Sequence, residues 1–252
     1  MSEATTAPPA GTGPHPEGWR GYWSRDTLWR ESELGGISAG ILLRGTRETL
    51  PFGRADSVLE IGCGPGHLAA LLAPLVGTIH AVDIAPPSVA ACRERCRGCG
   101  NVTVGLLGND YTDLSACGGP FTRILCVSVV QYYRDMGEVE RLIQAARAVA
   151  APGAKMLIAD LPLARTASAF VRDALGTLRA ALRGGYLGPL LRAARGRWGP
   201  GSAYRACQNR AGSLVFNRAI LEELVGRMDL QATVLHESLS IYANRPSLLL
   251  DF

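Results

Sequence analysis

From about residue 54 onward, short unbroken apolar runs alternate with longer stretches in which apolar residues recur every three or four positions. The runs DSVLEIG, TIHAVDI, NVTVGLLG, FTRILCVSVV and AKMLIADLP are rich in β-branched residues and read as buried strands. The stretches GHLAALLAPLV, PPSVAACRERC and EVERLIQAARAVA have helical period, and the second opens on prolines, which suit a first helical turn. Strands alternating with helices of this length predict a parallel sheet covered on both faces. The chain closes with a helix, NRAILEELVGRM, and two more strands, LQATVLHES and PSLLLDF. About eight residues separate these two strands, too few for a helical crossover, so they are expected to pair antiparallel.

Outside this alternation the pattern changes twice. Residues 1–16, MSEATTAPPAGTGPHP, are small, polar and Pro-rich and read as a disordered tail; with no basic segment followed by an apolar run, they are not expected to be a signal peptide. Residues 17–252 are expected to form one domain, with cap helices within 17–50 and a helical insert at 163–213, much longer than an ordinary connection. In FVRDALGTLRAALR, Val171, Leu175, Leu178 and Leu182 form one stripe, while Arg172, Arg179 and Arg183 lie on another face.

Composition adds bounds. A chain of 252 residues, 47% hydrophobic, can bury a substantial core. No apolar run reaches the ~18 residues of a membrane span. A cytoplasmic location with the seven cysteines reduced is expected. Net charge is only +4, but residues 163–212 hold nine arginines and one aspartate, a local +8. A helical lid whose Arg face is merely solvated accounts for this. So do an acidic substrate, an acidic carrier protein presenting a tethered substrate, a homodimer contact and a membrane surface.

The most informative stretch is VLEIGCGPGHL, Val58 to Leu68, where a strand runs into Gly62, Gly64 and Gly66 and a helix follows. Glycines here let the backbone approach a ligand and adopt turns closed to other residues. A dinucleotide fingerprint, G-x-G-x-x-G, would need its third glycine where this chain has His67. Read from Glu60, the motif is instead E-x-G-x-G-x-G. At this point the sequence resembles the class I S-adenosylmethionine (SAM)-dependent methyltransferases, whose first motif is an acidic residue followed by G-x-G-x-G. Asp83 ends the second strand 23 residues after Glu60, where a carboxylate can accept hydrogen bonds from both hydroxyls of a ribose. By the same resemblance, GND at 108–110 contacts the adenine, a role that falls to Asn109, Asp110 and Tyr111. Cys63 within the loop, Ile84 after Asp83 and Val127 on the fourth strand complete the implied cofactor site. The implied fold is a doubly wound α/β sheet of order 3-2-1-4-5-7-6 with the last strand antiparallel, under a helical cap.

CRERCRGC, Cys92 to Cys99, has the C-x3-C-x2-C spacing of a radical-SAM cluster loop. Val89, Cys92 and Cys96 share one helical face, however, and small thiols on such a face are ordinary core residues. No fourth ligand for zinc follows nearby. No metal is expected.

CVSVVQYYRD leaves the fourth strand toward the reaction site. It lacks the N/D-P-P-Y/F-type motif of enzymes acting on base amines, the Pro-Cys pair of cytosine-C5 enzymes and the strand-end Asp of metal-dependent catechol-type enzymes. Nucleic acid is therefore not an expected partner. Gln131, Tyr132 and Tyr133 are expected near the acceptor, with Tyr132 a catalytic candidate. His236 ends the sixth strand and is the candidate general base. The loop ESLSIYANR beyond it brings Tyr242 and Arg245 over the site. GYWSRDTLW is expected as a cap helix carrying Tyr22 and Trp23.

The resemblance implies metal-independent methyl transfer from SAM to a small-molecule acceptor, on oxygen or carbon, in specialised metabolism. Two rivals remain open: a SAM-binding protein that cyclises or rearranges its substrate, and an NAD-dependent oxidoreductase.

Overall fold

The computed structural model of the protein describes residues 18–25, 33–108, 111–164, 166–228 and 230–252. Five parallel strands form the centre: β1 (Ser57–Ile61), β2 (Thr78–Asp83), β3 (Val102–Leu106), β4 (Phe121–Val127) and β5 (Ala150–Ala159). β6 (Gln231–Leu235) and β7 (Ser247–Asp251) complete a seven-stranded sheet in the order β3-β2-β1-β4-β5-β7-β6. β7 runs antiparallel to both β5 and β6, so the direct return from β6 is a reversal, as the short connection requires.

The sheet is buried on both faces because successive residues of its strands point opposite ways. Leu59 and Ile61 of β1, Ile124 and Cys126 of β4 and Met156 and Ile158 of β5 point one way. They pack under α5 (Met136–Ala148) and α9 (Arg218–Met228). Val58, Leu125 and Leu157 point the other way, under α2 (Glu33–Gly45), α3 (His67–Leu72) and α4 (Pro86–Arg95). This two-sided burial is why the strands read as continuous apolar runs. α5 begins where Asp135 accepts from the amide of Glu138 at 3.0 Å, an N-cap beyond the sheet's carboxyl edge.

A cap lies over that edge. α1 (Trp19–Arg25) packs against α8 (Ala203–Ala211), and α2 against α7 (Leu187–Trp198). Trp19 donates its indole N–H to the carbonyl of Gly212 at 2.8 Å, tying the front of the chain to the end of the insert. Leu34 is fully buried in a satellite core with Ala181, Tyr186, Leu190 and Ile241. The first sixteen residues, and the part of GYWSRDTLW beyond Arg25, lie outside the described residues.

The insert holds three helices, of which α6 (Ala167–Arg183) carries the apolar stripe seen in the sequence. That stripe points to solvent: Val171, Leu175, Leu178 and Leu182 are all exposed, beside exposed Arg172, Arg179 and Arg183. The inward face is Asp173, Thr177 and Ala181. The reason is the surface it meets. The loop before β7 offers the amide of Ala243, which donates to Thr177 Oγ1 at 3.0 Å, and the side chain of Asn244, which donates to Asp173. Gly176 lets the two backbones close up, since a Cβ there would stand 3.0 Å from that of Ala243. A polar partner draws in the polar face of the helix.

Among the described residues no helix is long and apolar enough to cross a membrane.

Replacing Leu178 and Leu182 together by Ser is expected to leave the thermal midpoint within about 2 °C, a change worth under ~1 kcal/mol in a chain of this size. Leu34→Ala, in the core that α6 roofs, is expected to cost about 2–5 kcal/mol by denaturant titration.

Candidate functional site

β1 carries Glu60 and Ile61 to the carboxyl edge of the sheet, and the chain then turns on Gly62, Gly64 and Gly66 at φ values of 73°, 51° and 78°. Two of these glycines are required by close approach. A Cβ on Gly62 would stand 2.3 Å from Val129 Cγ2, and one on Gly66 would stand 2.6 Å from Cys92 Sγ. Cys92 is thus a packing partner of the turn, buried like Cys96, and both are free thiols. Gly64 differs: nothing lies within 4 Å of the Cβ position, so the turn is open there.

Asp83, at the end of β2, holds this turn. Its Oδ2 accepts from the amide of Gly64 at 2.9 Å and its Oδ1 from the amide of Ala85 at 2.8 Å. Burial pushes the Asp83 carboxyl up, while the amides of Ala85, Gly64 and Ile84 and the phenol of Tyr111 pull it down. Glu60 is buried with no hydrogen-bond partner on Oε2. Burial, then the negative neighbours Cys92 and Asp83, push its pKa well up. Tyr111 is pushed up as well, by burial and then by Asp83. Arg95 of α4 donates to the carbonyl of Pro65 at 2.7 Å and braces the turn from behind. His67 opens α3 with its ring against Gly35; burial and the nearby Arg95 lower its pKa to about 4. Asn109 and Asp110 lie outside the described residues.

The ends of β4 and β5 form a second cluster. Among the described residues three non-glycines have positive φ: Ser128 at 58°, Asp160 at 65° and Asn244 at 53°. Ser128 donates its hydroxyl to Asp160 Oδ2 at 2.5 Å and its amide to the carbonyl of Ala159 at 3.1 Å. Arg245 Nε stands 3.9 Å from Asp160 Oδ1, too far for a hydrogen bond, and both atoms are buried without hydrogen-bond partners. Such backbone conformations cost about 1–3 kcal/mol each. Gln131 is buried nearby in sequence, with Oε1 also unpartnered. Tyr242 lies under the Arg245 guanidinium at 5.2 Å, its pKa raised by burial.

The cap contributes an aromatic cluster. Tyr132 packs against Trp19 at 4.6 Å and Trp23 at 5.3 Å, and Tyr22 against Tyr204 at 5.6 Å. Arg197 of α7 lies 4.0 Å from the Tyr204 ring and donates to Tyr132 Oη at 3.1 Å. Burial pushes the Tyr132 phenol well up, against the opposing pull of Arg197. The side chain of Tyr133 turns toward the core under α5.

The structure therefore brings Tyr22, Trp23 and Tyr132 together, and brings Arg245 and Tyr242 to the end of β5. His236 is not among them: it is exposed beyond the end of β6, the edge strand farthest from β1 on that side. Asp160, Ser128, Arg197 and Tyr204 were missed in the sequence. Asp160 had one signal, a charge at the end of an apolar strand immediately before Leu-Pro. Arg197 had none, since it is one of nine arginines in the insert.

Residues 58–153 match the family model described as a methyltransferase domain. Over 155 residues, 57% of this chain, the protein is 30% identical to a chondramide synthase of Chondromyces crocatus, of which that region is 4%. Over 120 residues it is 30% identical to a ubiquinone biosynthesis O-methyltransferase of Xanthomonas axonopodis pv. citri, covering 47% of this chain and 48% of the relative. The chain thus matches about half or less of these curated relatives. Among solved structures it resembles the N-methyltransferase NodS of Bradyrhizobium japonicum in complex with S-adenosyl-L-homocysteine, with TM-score 0.55 and 16% identity. That likeness covers 92% of this chain and 95% of the other, and at such identity it is a likeness of fold.

Gly66→Ala is expected to destabilise the protein by about 2–4 kcal/mol in denaturant titration, combining strain at positive φ with overpacking on Cys92. The lowered His67 pKa sets a pH dependence. Its folded value near 4 lies below the unfolded 6.5, so its contribution is fully present above pH 6.5 and is lost as pH falls toward 4. Denaturant midpoints taken from pH 7 to pH 5 are expected to fall less steeply in His67→Gln.

Proposed function

We propose that the protein transfers a methyl group from SAM to a small-molecule acceptor, a reading supported by the match of residues 58–153 to a methyltransferase family model. One observation carries the reading. The open turn at Gly64, its amide held by Asp83, lies beside a buried Glu60 oxygen with no partner of its own. A backbone open where a side chain would stand, next to two acidic groups, fits an adenosyl amino acid. Asp83 and Ile84 would hold its ribose. Glu60, Gly62, Cys63, Gly64 and Gly66 would hold its amino-acid end, and Asn109, Asp110, Tyr111 and Val127 its adenine side. The group supplies an activated methyl on a sulfonium.

The chain's own contribution is to align and enclose. Holding donor and acceptor about 3 Å apart supplies much of the acceleration of such a displacement. Tyr22, Trp23, Gln131, Tyr242 and Arg245 are the proposed acceptor wall; Tyr133, turned toward the core under α5, is not part of it. Tyr132 accepts from Arg197, and burial keeps its phenol protonated. His236, exposed on the far edge strand, is not assigned the acceptor's proton in this reading. We take the acceptor atom to be oxygen or carbon and the transfer to be metal-independent. Similarity to an O-methyltransferase and to a natural-product synthase supports that choice and a place in specialised metabolism. The exposed α6 face, where Arg172, Arg179 and Arg183 stand beside exposed leucines, supports delivery of the acceptor on an acidic carrier protein.

Calorimetric titration is expected to show binding of SAM and S-adenosylhomocysteine, loss of both in Asp83→Ala, and no binding of NAD. NAD binding, or none by the adenosyl compounds, would overturn the proposal. Product mass separates the rival rearrangement chemistry, since only methylation adds a methyl group. If a carrier delivers the acceptor, Arg172→Ala with Arg179→Ala and Arg183→Ala is expected to slow turnover of a carrier-tethered acceptor at least tenfold while sparing the free acceptor, a loss of about 1.4 kcal/mol.

A further inference from the structure

Resting on the methyl-transfer reading, we propose that Asp160 is the catalytic residue that binds the acceptor's reacting hydroxyl and receives its proton. Of the three non-glycine residues with positive φ among the described residues, two are Asp160 and its hydrogen-bond partner Ser128, and the third, Asn244, directly precedes Arg245. Ser128, at the end of β4, donates to Oδ2. Arg245 follows Asn244 and approaches Oδ1. The next residue on each segment is also joined, since the amide of Leu161 donates to the carbonyl of Pro246 at 3.1 Å. Two strand ends and the loop before β7 thus meet at one carboxylate, Ser128 on Oδ2 and Arg245 near Oδ1.

That oxygen accepts no hydrogen bond within the fold. Asp160 is only 6% exposed, yet Oδ1 has no hydrogen bond, and the nearest cation presents an Nε that is likewise unpartnered. A carboxylate placed for stability would close on Arg245, as bidentate pairs do. Here the pair is held 3.9 Å apart with a lone pair left over. Buried polar groups are almost always hydrogen-bonded, so an orphan held by strained backbone marks a place for a ligand's donor.

The location suits the reaction. Ser128 is followed by Val129, whose side chain covers Gly62 of the open turn, so Asp160 lies one residue's contact away from the proposed cofactor site. Gln131 and the Tyr132 cluster follow on the same segment. In the step, the acceptor oxygen uses a lone pair to form the new O–CH3 bond. The electron pair of the breaking C–S bond leaves with the sulfur, and the hydroxyl proton passes to Asp160 Oδ1. This selects an acceptor whose reacting atom carries a hydrogen-bond donor and disfavours a carbon that does not.

Two readouts test it. Thermal unfolding and S-adenosylhomocysteine titration of Asp160→Asn and Asp160→Gly need no acceptor. Both substitutions tolerate positive φ, and removing a strained functional group commonly preserves or raises stability. The midpoint is expected at or above wild type, with Kd within about twofold. A fall of more than about 5 °C in both variants would make Asp160 a structural carboxylate and overturn the proposal. In parallel, wild type and Asp160→Asn are incubated with SAM and matched pairs, phenol with aniline and 1-naphthol with 1-naphthylamine, and scored by gain of a methyl in product mass. Wild type is expected to methylate the phenols, with a fall of about 100-fold or more in Asp160→Asn. Phenol turnover unchanged in Asp160→Asn, or turnover of the anilines alone, would overturn the proposal. If wild type takes neither pair, the stability readout decides. Failure of wild type to bind SAM would instead sink the methyl-transfer reading, with the stability readout still standing.

Discussion

Asp83 is the point on which the carboxyl edge of the sheet depends. One buried carboxylate takes hydrogen bonds from Gly64 in the turn after β1 and from Ala85 at the entry to α4. Without it, the turn after β1 and the entry to α4 would have no common anchor. Burial of such a group is costly, and the cost is offset only because amides are aimed at it from both sides. The glycines belong to the same constraint. Gly62 passes under Val129 and Gly66 over Cys92, and no other residue lets the backbone come that close. The turn that results is tight against the protein on two sides and open on the third, at Gly64.

The same edge shows a second economy two strands away. Ser128, Asp160 and Asn244 adopt left-handed backbone. What the conformation achieves is to bring Asp160, Arg245 and the Tyr132 segment to one place, beside the turn that Asp83 organises. The two halves of the site are coupled through consecutive residues, Ser128 bonded to Asp160 and Val129 packed on Gly62. A methyl donor held by one half would therefore face groups supplied by the other.

The cap closes this edge with material drawn from both ends of the central unit. Trp19, Tyr22 and Trp23 come from the front of the chain, Arg197 and Tyr204 from the insert, and Tyr132 from the segment after β4. Arg197 is held by ring faces and a phenol rather than by a position in the core, a way to keep a guanidinium charged while excluding water. The outward α6 stripe has a different logic. Its inner face is committed to polar bonds with the loop before β7, so its leucines and arginines are left on the surface together.

The strands, their order and the glycine turn were legible because each rests on a local rule. β1, β4 and β5 are buried on both faces and must be continuous apolar runs, and a strand-to-helix turn that passes under another chain must place glycine where Gly62 and Gly66 stand. Asp83 was legible for the same reason, by its spacing from Glu60. The rest of the site was not, because its residues owe their meaning to neighbours far along the chain. Asp160 is an ordinary strand-end aspartate until Ser128 and Arg245 are seen beside it, and Arg197 is one arginine among nine until two aromatic segments close on it. His236 ends a parallel strand, β6, which the expected order already put at the sheet's edge, and the structure adds that its side chain is exposed there. Periodicity identified the α6 stripe correctly and could not say which way it faced. A helical repeat records that two faces differ, whereas the choice of the inner one belongs to the surface it meets.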